Sequence, residues 1–223
     1  MPKREEVQTT SVYILPSFKY VPFLPRVSFD CVQALVKGYL LPEKLNPAHD
    51  SLSPIHKDRL LRRAAYQSLL FAVRDVNDIL VLICGHGGRD LRCGIMGPIL
   101  QEEFKKTLPK AGIEVLQDAV KINEYAEDKR PFRGPNLHKL TARVGLISHI
   151  GGHKYAGNVI LYIPPSAKSV TGEPHALTGC GIWYGRVEPK HVEGIVYHTI
   201  LRGSVFKDMF RGGVKQGGKP ILL

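Results

Sequence analysis

Two short apolar runs, each followed directly by a glycine-rich segment that carries Cys or His, constrain the fold of this 223-residue sequence most strongly. The first run, Ile79–Ile83, leads into Cys84-Gly-His-Gly-Gly-Arg-Asp-Leu-Arg-Cys93. The second, Val144–Ser148, leads into His149-Ile-Gly-Gly-His153. Continuous apolar runs of this length are typical of strands that are buried on both faces of a sheet. The sequence therefore predicts two ligand-bearing loops at the ends of neighbouring buried strands.

The remaining patterns predict an α/β fold with a mixed central sheet flanked by helices. The predicted order β-α-β…β-β-α is typical of a thioredoxin-like sandwich. Residues 75–223 are expected to form this domain, and residues 1–74 an N-terminal arm and helix partly packed on it. Further strands are predicted at Ser11–Leu15, Ile113–Leu116, Asn158–Ile163 and Gly181–Val187, and helices at Phe29–Leu40, from Ser53 to Ala72, at Pro98–Thr107 and at Pro189–Leu201.

Composition narrows the functional classes. The chain has 31 basic and 20 acidic residues, a net charge of +11 that favours acidic partners. We find no nucleic-acid-binding motif and expect no nucleic-acid partner. No apolar run approaches the roughly 18–20 residues that cross a bilayer, so we expect no membrane insertion. Four cysteines are too few for a disulfide scaffold, which points to a reducing compartment and to metal or redox chemistry.

The chemistry-bearing residues are Cys84, Cys93, His149 and His153, which together offer two thiolates and two imidazoles to a metal. The His-x-x-x-His spacing occurs on helices in metalloproteases, but here the spacer is Ile-Gly-Gly, which disfavours a helix. The general-base Glu that follows the first His of such enzymes is also missing. The loops are therefore predicted to hold a cofactor, with no catalytic residue assigned.

Spacing alone leaves two cofactors open. Two Cys and two His form a zinc-finger ligand set, although eight residues between the cysteines exceed the two to four usual in fingers. Mixed Cys and His ligation also suits a [2Fe–2S] cluster, as in Rieske centres. A zinc-stabilised interaction module is therefore the alternative to an electron-transfer protein.

Three segments then resemble, in order, the sucrase/ferredoxin-like family of thioredoxin-like ferredoxins. They are Ile83–Gly94, Ser148–Asn158 and Gly181–Val187. The resemblance implies a [2Fe–2S] cluster, with Cys84 and Cys93 on one iron and His149 and His153 on the other. It further implies an electron carrier or redox sensor rather than a catalyst, an unidentified redox partner, and a mitochondrial location with the cytoplasm as the alternative.

The other Cys and His residues are given structural roles. Cys31 and Cys180 are expected to be buried, unreactive thiols. His86, inside the first loop, is expected to neighbour the ligands or to be exposed. Arg89 and Arg92, which flank Cys93, are either solvated charges or offset the charge of a cluster. Surface or helix-capping positions are expected for His138, His175, His191 and His198.

Overall fold

The computed structural model describes residues 9–25, 29–88, 90–120, 140–169 and 172–223. Packing divides these residues into two units, which we describe separately. The first unit contains the described residues up to Val76 together with 119–120. The second contains Asn77–Asp118 and the described residues from 140 onwards. The predicted connection around residues 121–139, with His138, lies outside the described part of the chain, as does Arg89.

The first unit has a three-stranded antiparallel sheet in the order β1-β2-β3. Helix α1 continues into a π-helical turn and packs in a small core with the sheet, so the predictions of a strand near Ser11–Leu15 and a helix within Phe29–Leu40 are confirmed. The elements are β1 (Thr9–Ile14), β2 (Lys19–Pro25), α1 (Phe29–Leu35), the π turn Val36–Leu40 and β3 (Arg74–Asp75).

The helix predicted from Ser53 to Ala72 is wrong in its length. Ser53 caps helix α2, which spans only Pro54–Arg59, and a separate 3-10 helix spans Ala64–Leu69. Between them the backbone N–H of Arg62 donates to the carbonyl of Pro42. An N–H that bonds to a distant segment cannot bond to the residue four positions earlier, so the helix ends.

The second unit is built on a seven-stranded sheet in the order β10-β9-β8-β7-β4-β6-β5. Strands β5, β6 and β4 are parallel, and the other pairs are antiparallel. The elements are β4 (Ile79–Cys84), α3 (Leu91–Lys110), β5 (Glu114–Val115), β6 (Thr141–Ile147), β7 (Val159–Ile163), β8 (Cys180–Tyr184), α4 (Pro189–Gly194) with a π-helical continuation Ile195–Leu201, β9 (Phe210–Lys215) and β10 (Pro220–Ile221).

The core of this unit confirms the predicted α/β sandwich with a mixed sheet. Strands β8-β7-β4-β6 form the centre, with α3 connecting β4 towards β5 and β6 and α4 following β8, which is the thioredoxin-like arrangement. Fully buried side chains from α3, such as Leu100 and Phe104, share one hydrophobic core with Val81 and Leu161 of the sheet. None of the described helices is long and apolar enough to cross a membrane.

Candidate metal centre

Three of the four predicted ligands converge in the second unit. Cys84 ends strand β4, Cys93 lies in the first turn of α3, and His149 follows β6. One ligand atom from each lies within 4.8 Å of the others. The Sγ of Cys84 is 4.0 Å from Nδ1 of His149. The three side chains therefore form a Cys2His group that could hold a metal ion.

His153 is the first residue of a 3-10 helix, His153–Tyr155, that ends the second loop. Its side chain lies outside the part of the chain that the structure describes. The fourth ligand therefore stays a prediction.

Sheet register brings the two loops together. Strands β4 and β6 are parallel, with Cys84 opposite Ile147. The segments that follow two adjacent parallel strands leave the same edge of the sheet. The backbone N–H of Gly85 also donates to the carbonyl of Ile147, at 3.1 Å. The pairing that sequence reasoning inferred from two apolar runs thus places His149 beside Cys84.

Helix α3 begins earlier in the sequence than predicted, and this early start places Cys93 in the ligand group. The helix was expected at Pro98–Thr107, but it starts at Leu91, where the side chain of Asp90 accepts a hydrogen bond from the backbone N–H of Arg92. This is N-capping, in which a carboxylate satisfies an orphan N–H of the first turn. Cys93 is therefore held by a helix rather than by a loop.

Gly97 allows α3 to approach the first ligand. A Cβ at Gly97 would lie 2.6 Å from the carbonyl oxygen of Cys84 and 2.7 Å from the Cα of Gly85. Backbone atoms cannot yield as a flexible side chain can, so only Gly fits at this contact. Direct backbone packing at Gly97 therefore holds α3, the helix that carries Cys93, close to the end of β4.

The two thiols are buried, whereas His149 is half-buried. Burial, followed by the hydrogen bond and charge of Cys84, raises the pKa of Cys93 to about 11. Nearby, Arg92 is bound to Asp90 through two hydrogen bonds of 3.0 and 2.8 Å. A thiol in this setting is protonated at neutral pH, so binding of a metal here would have to release that proton.

Two further polar residues support the ligand loops. The exposed His86 accepts a hydrogen bond from the backbone N–H of His149 through Nδ1, at 3.3 Å, which confirms that it neighbours the ligands. The backbone carbonyl of Asn158 accepts from the N–H of Cys84, at 3.0 Å. Sequence reasoning did not select Asn158; its only signal was a polar residue at the head of an apolar strand.

Buried polar side chains lie against the turn at Gly151, within the second ligand loop. Its φ is +76°, and a Cβ there would meet the side-chain oxygen of Asn158 at 2.4 Å and Cζ2 of Trp183 at 3.0 Å. Among the described residues, the fully buried Asn158 amide and the buried Nε1 of Trp183 have no hydrogen-bond partner. Soft donors, a close-fitting glycine turn and orphaned polar atoms together fit a bound inorganic group.

Of the roles predicted for the other Cys and His residues, some are confirmed and others are wrong. Cys180 is buried, its Sγ donates to the carbonyl of Thr178, and burial raises the pKa of its thiol, consistent with an inert residue. Cys31 is only half-buried, contrary to expectation. His191 accepts from the backbone N–H at the start of α4, which confirms its capping role. His175 was expected at a surface or capping position; it is not at the surface, since it is only 3% exposed.

An α/β sandwich of thioredoxin-like topology, with a Cys2His group that could hold a metal where two central strands end, defines the class of protein. The chain belongs to the sucrase/ferredoxin-like family, whose profile matches residues 1–212. Proteins called altered inheritance of mitochondria protein 32, from several yeasts, are similar to this chain. The Meyerozyma guilliermondii protein is 34% identical over 203 residues, which are 91% of this chain and 56% of that protein.

Two further relatives have the same name. The Debaryomyces hansenii protein of the same name is 33% identical over 205 residues, covering 91% of this chain and 59% of its own length. The Candida glabrata protein is 33% identical over 138 residues, covering 62% of this chain and 33% of its own. The chain thus spans little more than half the length of the first two relatives. No solved structure matches the chain.

Proposed function

We propose that the chain holds a [2Fe–2S] cluster through Cys84, Cys93, His149 and His153 and exchanges single electrons with another protein. The observation that carries the proposal is the convergence of two buried thiols and an imidazole within 4.8 Å of one another. The description of the family, sucrase/ferredoxin-like, includes ferredoxins and is compatible with an electron-transfer role. We infer an electron carrier or redox sensor.

In this role the residues of the chain bind the cluster, orient it and shield it from solvent. A bound [2Fe–2S] cluster supplies one-electron oxidation and reduction. Cys84 and Cys93 supply thiolates from rigid elements and are almost fully buried, at 1% and 0% exposure. His149 is half-buried, so its side of the site lies nearer to solvent. Electrons are therefore expected to enter and leave on the histidine side.

Zinc is the second candidate, and one distance favours it. A zinc ion bound tetrahedrally at about 2.3 Å from sulfur and about 2.1 Å from nitrogen separates these two atoms by about 3.6 Å. The 4.0 Å between Cys84 Sγ and His149 Nδ1 is close to that value. The same residues would then stabilise a structural or interaction module.

Location and partners belong to the same proposal. Several relatives carry a name that refers to mitochondria, and we propose a mitochondrial location, with the cytoplasm as the alternative. The charge of +11 supports an acidic redox partner. We assign no nucleic-acid partner and no membrane insertion.

An absorption spectrum of the anaerobically purified protein, with iron and zinc measured on the same sample, tests the cofactor. The proposal expects a red-brown protein with broad bands between about 330 and 600 nm, bleached by dithionite, and two irons per chain. A colourless protein with one zinc per chain would overturn it and leave the zinc module.

Single variants test the ligands. Cys84→Ser, Cys93→Ser, His149→Ala and His153→Ala should each lower the metal content. His149→Cys should keep a coloured centre with a lower potential, since a thiolate adds negative charge where a neutral imidazole was bound. His198→Ala, at an exposed position on the π-helical segment, is the matched control and should keep full metal content. Unchanged metal in both His→Ala variants would contradict the assignment.

A further inference from the structure

Three cationic side chains surround one aromatic ring next to the second ligand loop. The guanidinium carbon of Arg211 lies 3.2 Å from the centre of the Tyr155 ring, and that of Arg186 lies 5.2 Å from it. The ammonium of Lys154 is 5.1 Å from the same point. Tyr155 closes the 3-10 helix that begins at His153. We name these four residues the Tyr155 basic cluster.

The backbone builds this arrangement. The N–H of Arg186 donates to the carbonyl of Tyr155, at 3.3 Å. Arg211 is the additional residue of a β-bulge, where strand β9 shifts register against β8. Bulges redirect a side chain that regular pairing would point elsewhere. Gly185 leaves room for it, because a Cβ there would lie 3.1 Å from Cγ of Arg211 and 3.3 Å from Cβ of Tyr155.

The charges of the cluster are not neutralised within the described part of the chain. Arg92 and Arg143 pair with aspartates, but Lys154, Arg186 and Arg211 form no ion pair with any described carboxylate. All three are exposed. Cations gathered around one ring repel each other, and an anion placed against them offsets that repulsion.

We propose that the Tyr155 basic cluster is the docking surface for a carboxylate-rich surface of a partner protein. The proposal rests on the proposed function, under which this partner exchanges electrons with the centre. The cluster begins one residue after His153, so a protein bound there is placed at the ligand loop. Guanidinium groups match carboxylates in paired hydrogen bonds.

Chemistry favours a protein over a nucleic acid. Single strands are bound along extended basic grooves whose aromatic rings stack on bases. Here the cations are gathered around one ring, and Arg211 already covers a face of that ring. The electrostatic steering of an acidic protein needs a local positive patch, and its strength falls as salt rises.

Binding of a labelled 20-residue polyglutamate peptide to the purified, metal-loaded protein tests the surface by fluorescence anisotropy at several salt concentrations. Arg186→Gln and Arg211→Gln should each weaken binding about two- to fivefold, and the double variant about tenfold, as expected for exposed ion pairs. Arg211→Lys keeps the charge and should retain most of the affinity. Lys110→Gln and Arg202→Gln remove exposed charges elsewhere and should change it little.

Equal losses in the two control variants would overturn the proposal, since binding would then follow net charge alone. Binding of a labelled 20-nucleotide single strand is measured in parallel. The proposal is overturned if the variants of the Tyr155 basic cluster weaken oligonucleotide binding more than peptide binding. Iron content, measured on the same samples, separates the two proposals. If the protein holds no iron but the variants of the Tyr155 basic cluster still weaken peptide binding, the electron-transfer function falls and the docking surface stands. If the protein holds iron but those variants bind the peptide as the wild type does, the docking surface falls and the electron-transfer function stands. Circular dichroism checks that each variant is folded.

Discussion

Gly97 is a residue whose small size lets α3 pack closely against the first ligand. Its Cα faces the carbonyl of Cys84, and an added Cβ would lie 2.6 Å from that oxygen. Gly97→Ala should therefore push α3 away from the first loop and lower the free energy of unfolding by about 1–3 kcal/mol, as overpacking of a tight contact does. Urea unfolding measures the loss, and metal content should fall with it.

Gly145→Ala is the matched control, because nothing lies within 4 Å of a Cβ added there. That change sits in strand β6 and should alter stability by well under about 1 kcal/mol, or raise it. Equal effects of the two substitutions would show that close packing at Gly97 does not position Cys93.

His175 makes the stability of the second unit depend on pH. Burial lowers the pKa of its ring below the ordinary value of 6.5, and Nδ1 accepts a hydrogen bond from the N–H of Leu177, at 3.1 Å. The folded chain therefore holds the ring neutral. Below about pH 6.5 the unfolded chain binds a proton that the folded chain does not, so stability is lost as pH falls through that value.

Urea unfolding at pH 7.5 and pH 5.5 tests this for the wild type and for His175→Gln. The wild type should lose up to about 1 kcal/mol more than the variant over this interval. Taking the difference between the two proteins removes the contribution of the metal ligands, which both retain. His198→Gln, at an exposed site, should show the wild-type slope; a loss of slope there would remove the assignment to His175.

At the scale of elements, the start of α3 is the feature that brings a cysteine into the site. Asp90 accepts from the N–H of Arg92 through its side chain. Asp90→Ala removes this cap and should cost about 1 kcal/mol of unfolding free energy. It should also loosen the first turn, so that Cys93 in the metal-free protein reacts faster with iodoacetamide.

Asp90→Asn separates capping from charge. An amide oxygen caps nearly as well as a carboxylate, so stability should stay close to that of the wild type. The ion pair with Arg92 is lost in both variants. If Asp90→Asn is as unstable as Asp90→Ala, the ion pair rather than the cap holds the turn.

The sequence predicted those elements whose apolar pattern is complete within the segment itself. Strand β4 was predicted from a run that is almost wholly buried, and β6 from a shorter run beside the second ligand loop. Strand β9 was missed because Gly212, Gly213 and Lys215 interrupt its apolar pattern. Hydrogen bonding to β8, rather than that pattern, holds the segment as a strand. Local pattern is a good guide only where no distant segment decides the outcome.

The same reasoning explains what was missed at the site. Cys84 and His149 were predicted because each follows a readable strand, and Cys93 because it ends the glycine-rich segment that begins at Cys84. The burial of His175 and the approach of Arg211 to Tyr155 depend on contacts between segments far apart in the chain. No spacing in the sequence encodes such contacts. The helix predicted beyond Arg59 fails for a related reason, since the N–H of Arg62 bonds to another segment.

At the scale of the whole molecule, the two units differ in the size of their cores. The first has a small set of buried apolar residues that includes Val21 and Leu35, and the second has a much larger set that runs through β4, β7, β8 and α3. A small core leaves a unit marginally stable. The candidate ligands Cys84, Cys93 and His149 all lie in the second unit, so we expect the consequences of removing a bound metal to be confined there.

Hydrogen exchange before and after chelation tests this confinement. A metal that joins β4, α3 and the loop after β6 stabilises the folded state by its binding energy, and chelation withdraws that energy. Amides near Cys84, Cys93 and His149 should lose about tenfold or more in protection, because local opening there no longer requires loss of the metal. Amides of β1 and β2 should exchange at unchanged rates. Their acceleration to the same extent would mean that the metal stabilises both units together, whereas no change near Cys84 would mean that the bound ion is not held by this group.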